Sequence, residues 1–117
     1  MKIKTVIAAL AALAATSAAN ASAFIAWEVT DVSRGDVLNV RKYPSVKSQI
    51  QSAYPNGTVL SLTGRCKYGV VPRDLVRLPE AEQRAAVRHT WCEVWHDPAG
   101  SDEFVRGWVY MKYMKPH

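Results

Sequence analysis

The side chains able to do chemistry in this chain are few: Cys66 and Cys92, three histidines, scattered carboxylates, and a set of tryptophans and tyrosines. The two cysteines are not the C-x-x-C pair of a redox motif, so they are read as a structural disulfide formed in an oxidising compartment. Closing that loop is worth about 3 to 4 kcal/mol in the chain-entropy account. His89, Cys92 and His96 have the composition of a metal site. On a strand, however, His89 and Cys92 project to opposite faces, so no metal is expected and the histidines are read as ordinary surface residues. His96-Asp97 beside Cys92 would suit a cysteine nucleophile with its base, but a sulfur held in a disulfide cannot attack. There is no serine in a nucleophile-elbow sequence and no glycine-rich phosphate loop. Glu80, Glu82, Glu93, Asp102 and Glu103 are too dispersed to assemble a glycosidase pair. The expectation is a protein with no catalytic residues and no cofactor.

What remains is aromatic. Trp27, Tyr43, Tyr54, Tyr68, Trp91, Trp95, Trp108, Tyr110 and Tyr113 are many for a chain of 117 residues. A small barrel buries some of them to fill volume. Trp91 and Trp95 fall on the strand face opposite Cys92 and Val94 and are harder to place in a core. With Tyr43 and Tyr110 they are the expected ligand-binding residues, lining a groove for a proline-containing peptide or stacking on sugar rings. The alternative is that a helix covers them and makes a second small core.

The elements that must position these residues begin after a leader. Lys2 and Lys4 precede an apolar run from Thr5 to Ala15, and small residues lead to Ala21-Ser22-Ala23. This is the pattern of a secretory signal peptide over residues 1–23, cut after Ala23 or alternatively after Ala21. The run is shorter than the roughly 20 apolar residues a membrane span needs, and no cysteine stands near either cleavage site to carry a lipid. The expected product is a periplasmic or secreted monomer that does not span a membrane. Two of the 15 basic residues belong to the leader, which leaves 13 against 10 acidic ones, a net charge of +3. That is mildly basic. Export and the absence of a basic stripe argue against a nucleic-acid partner and leave envelope glycans, peptides or proteins as the partner classes.

Residues 24–117 make one small domain. Trp27–Val32 alternates and runs into the turn Ser33-Arg34-Gly35-Asp36; Val37–Arg41 is a second strand. Lys42–Ala53 carries Pro44 and several serines without a period and is read as an ordered loop, followed by the turn Tyr54-Pro55-Asn56-Gly57. In the third strand, Thr58–Cys66, Leu60, Leu62 and Cys66 share one parity. From Pro72 to His89 helix formers dominate, with Pro79, Glu80 and Glu82 opening a helix and Arg84 and Arg88 in its C-terminal half. Thr90–Trp95 and Phe104–Met114 return to strand character. Five or six short strands with a helical insertion at about 70–89 predict an all-β small barrel.

Leu38-Asn39-Val40-Arg41, Pro44, Gly57, Trp91 and Val94, Gly107-Trp108-Val109 and Tyr113-Met114, in this order, resemble the bacterial Src homology 3 (SH3) family over nearly all of residues 24–117. The resemblance implies an SH3-like barrel used for noncatalytic recognition, often of peptidoglycan or of peptide segments. Two departures stand out. The segment 67–90 enlarges one loop between strands, and no hydrolase domain accompanies the barrel. A second expectation follows from the first departure: an interaction or inhibitor protein acting through the insert, with Arg73, Arg77, Arg84 and Arg88 making the contacts.

Overall fold

The computed structural model describes residues 25–117; the leader assigned to residues 1–23 lies outside the described residues. Seven strands form one sheet: β1 (Ala26–Val29), β2 (Leu38–Arg41), β3 (Ile50–Tyr54), β4 (Val59–Lys67), β5 (Trp91–His96), β6 (Val105–Tyr110) and β7 (Met114–Pro116). They are hydrogen-bonded in the order β3-β2-β6-β5-β4-β1-β7, and all pairs are antiparallel. The β-rich fold expected from the alternation is present, with seven strands where five or six were counted. The undercount lies in Lys42–Ala53 and at the C-terminus. Only Lys42–Gln49 is loop, and Ile50–Tyr54 pairs with β2. Its small and polar residues give no apolar alternation, so the partner strand decides the conformation and local propensity does not.

The core follows parity. Trp27 and Val29 of β1, Leu38 and Val40 of β2, Leu60 and Leu62 of β4, and Val94 and Val109 of β5 and β6 meet Met111 and Met114 in one cluster. Gly107 sits opposite Val94 in the β5–β6 ladder. A Cβ there would come within 2.4 Å of both Val40 Cγ1 and Gln51 Oε1, so only glycine leaves room for those side chains. Gly57, at φ +93°, closes the turn between β3 and β4 in a backbone region that favours glycine.

Cys66 and Cys92 are direct cross-strand partners and are joined as a disulfide, with Cα atoms 4.1 Å apart. The bond closes the base of the segment between β4 and β5. That segment holds a short 3₁₀ turn, Pro72–Leu75, and one helix, α1 (Glu80–Ala86). It is not a peripheral appendage: Leu75 and Val87 enter the core cluster, and Gln83 is buried, its amide donating to Leu78 O at 2.8 Å. Thr90 lies so close to Gly69 that a Cβ on residue 69 would collide with its hydroxyl. The insert is thus seated on the sheet by apolar packing at two points and by a covalent link at its base.

Candidate functional site

Between the β1–β2 connection and α1 lies a groove of about 970 Å³. Its floor is aromatic. Trp91 of β5 and Tyr110 of β6 are register partners, with ring centroids 5.3 Å apart, and Tyr113 continues the row 6.4 Å beyond Tyr110. The Tyr110 hydroxyl is fixed by His89 Nδ1 at 3.0 Å. A row of ring faces of this kind accepts proline rings, aliphatic side chains or the apolar faces of sugars.

The walls come from parts of the chain far apart in sequence. One is the loop between β1 and β2, which contributes Asp31, Val32 and Asp36. This loop is pinned by Asn56, whose side chain accepts from Val32 N at 3.2 Å and donates to Val32 O at 3.0 Å. The opposite wall is α1, which presents Ala81, Arg84 and Ala85, together with Arg88 from the turn that follows it. Positions 81, 84 and 85 form one helical stripe, and Arg88 follows in the turn whose backbone N–H donates to Ala85 O at 3.4 Å. Arg84 and Asp31 form an ion pair that joins the two walls. At one end the Arg41 guanidinium donates to Ser48 O at 2.9 Å and holds the β2–β3 loop.

The four aromatic residues singled out in the sequence separate in space. Trp91 and Tyr110 come together in the groove. Trp91 is only 8% exposed, because the insert and Tyr110 cover what would otherwise be an open sheet face. Trp95, on the same strand parity, is 37% exposed and faces a second, smaller hollow of about 590 Å³ with Tyr54, Val59, Leu60 and Phe104. Tyr43 is 61% exposed and lines neither. Asp31, Asp36 and Ala85 were not singled out in the sequence. The Asp31–Arg84 pair links positions 53 residues apart, and nothing local announces such a contact.

The titratable groups near the strands are mostly structural. His96 is not the surface residue expected from its polar neighbours: it is 1% exposed, with Nε2 2.9 Å from Gln51 Oε1 and Nδ1 2.9 Å from the Tyr54 hydroxyl. The Gln51 oxygen can only accept, so Nε2 carries the proton and Nδ1 accepts from Tyr54. Burial pushes the His96 imidazole below its ordinary value, against the opposing pull of Asp97. Glu93, buried in the middle of β5, accepts from the Thr63 hydroxyl at 2.7 Å and lies 3.5 Å from the Arg65 guanidinium. Arg65 in turn lies over the Trp108 ring at 5.8 Å. These contacts fix the outer face of the sheet.

Among the described residues no three His, Cys, Asp or Glu side chains cluster as metal ligands, and no helix is long and apolar enough to cross a membrane. The chain matches no protein-family model, no curated protein and no solved structure.

Proposed function

We propose that this protein is an exported, noncatalytic recognition module with an SH3-like barrel, and that it holds a cell-envelope peptide or glycan segment in the groove between the β1–β2 loop and α1. The observation that carries the reading is the aromatic row Trp91, Tyr110 and Tyr113 on the groove floor, with Trp91 nearly enclosed and Tyr110 and Tyr113 half-buried, between two walls that differ in charge and origin. The ordered SH3-like motifs and the antiparallel sheet support the barrel, and the disulfide suits an oxidising compartment outside the cytoplasm. On this reading the insert encloses Trp91 and, with Tyr110 and Tyr113 left partly exposed, makes half of the binding surface.

Ala85 is exposed and faces the groove, so Ala85→Trp fills the site without disturbing the core. Sedimentation with purified peptidoglycan and pull-down from envelope extracts should show binding by wild type, loss with Ala85→Trp and retention with Phe104→Ala. Full retention by Ala85→Trp would remove the groove from the function.

The exposed side chains of the insert favour a second reading. Within the insert Tyr68, Val70, Val76 and Leu78 are all exposed, interleaved along the sequence with Arg73 and Arg77, an unusual density of apolar and arginine side chains for so short a segment. Capture of a partner protein through these side chains would be lost in Val76→Asp/Leu78→Ser and kept in Ala85→Trp. Removing the insert is the wrong test, because Leu75 and Val87 belong to the core.

A further inference from the structure

Reading the groove as the recognition site leaves its ligand undefined, and the charges along its walls narrow the choice. Four cations line it, Arg41, Arg84, Arg88 and Lys112, against two acids, Asp31 and Asp36. Arg41 is occupied by Ser48 O, and the Asp36 carboxylate accepts from Val37 N. Arg84 holds Asp31. Arg88, in the turn that follows α1, and Lys112 form no ion pair among the described residues. The groove therefore offers unmatched positive charge on the α1 side, beside the aromatic floor.

We infer that the groove takes an acidic peptide segment, and that Asp31 is an internal stand-in for the ligand carboxylate on Arg84. Asp31 is well placed for this. It is exposed and it sits on a loop. An exposed pair of this kind contributes little to stability, so exchanging Asp31 for an incoming carboxylate costs little. The incoming group gains Arg88 as a second cationic contact that Asp31 leaves unused. Asp36 on the loop wall disfavours a uniformly anionic polymer. The groove is matched to a ligand with one carboxylate at the arginines and neutral, apolar groups over Trp91 and Tyr110. An extended peptide with Asp or Glu beside proline, aliphatic or aromatic residues has that pattern.

Selection from a display library of random short peptides, using the purified protein with its disulfide intact, tests this. Wild type is expected to enrich Asp or Glu next to apolar residues. Synthetic peptides made from the winners should bind Asp31→Asn about fivefold more tightly, as an internal competitor is removed, and Arg88→Glu at least about tenfold more weakly. Winners without an acidic residue, blocked by Ala85→Trp, would overturn the acidic ligand and leave the groove standing. Acidic winners that bind Asp31→Asn no better than wild type would overturn the stand-in role. Winners indifferent to Ala85→Trp, no winners at all, or binding of poly-L-glutamate or a sulfated polysaccharide in preference to peptides would overturn the proposal. Of these, winners indifferent to Ala85→Trp would also remove the groove reading.

Discussion

Trp91 and Trp95 lie on one strand, four residues apart on the same parity, and the molecule treats them differently. Trp91 is nearly enclosed, paired with Tyr110 and overlooked by α1. Trp95 stands partly in solvent, with the Arg106 guanidinium 5.9 Å from its ring and an apolar hollow beside it. The strand is the same; the neighbour across it is not. At the Trp91 end the insert returns to the sheet through Thr90 and the disulfide, and at the Trp95 end nothing equivalent covers β5. A sheet face supplies aromatic surface, and a second element converts that surface into a groove with sides, charge and selectivity.

The largest effect expected from breaking this contrast comes from the tryptophans themselves. Trp91→Ala removes an enclosed side chain and should cost about 3 to 5 kcal/mol in urea unfolding, whereas Trp95→Ala should cost about 1 kcal/mol or less. Equal costs would mean that the insert does not enclose Trp91. Next is the covalent link. Cys66→Ser/Cys92→Ser should lose about 3 to 4 kcal/mol and should speed amide exchange at the Trp91 end of β5 more than at the Trp95 end. Uniform acceleration along the strand would show that the bond stabilises the whole sheet and does not specifically seat the insert.

The smallest effect belongs to the opposite end, where His96 ties β5 to Gln51 and Tyr54 of β3. Its folded-state pKa lies below the unfolded value, so both states are neutral above about pH 6.5 and the contribution of His96 is complete there. As the pH falls below that value the unfolded chain takes up a proton that the folded chain resists, and stability declines. Chemical unfolding between neutral pH and mild acid should show this slope in wild type and a shallower one in His96→Gln. A slope unchanged by the substitution would assign the pH dependence elsewhere.

Much of the fold was legible in the residues. Leu38, Val40, Leu60, Leu62 and Val94 alternate in phase with the core they form, and Cys66 and Cys92 sit at the parity that brings them face to face. Ile50–Tyr54 was hidden because a strand with Gln, Ser and Ala at its centre carries no apolar period, and only its ladder with β2 reveals it. His96 was hidden because the turn formers Asp97 and Pro98 beside it suggest a surface position, while the space vacated at Gly107 is what lets the ring lie inside. Half of the candidate site could be read in advance. Trp91 and Tyr110 are marked by type and strand parity, and Arg84 and Arg88 by helical spacing. The opposite wall could not be read, since Asp31 meets Arg84 through the packing of a loop against a helix more than fifty residues away.

The central claim is that ligand enters between the sheet and the insert, and site-specific photocrosslinking tests it most directly. A photoreactive residue is placed at position 85, on the α1 wall, or at position 104, beside Trp95, and each protein is irradiated with purified peptidoglycan and with envelope extract. The account predicts a covalent adduct from position 85 that free wild-type protein suppresses, and none from position 104. Adducts from position 104 with none from position 85 would contradict it.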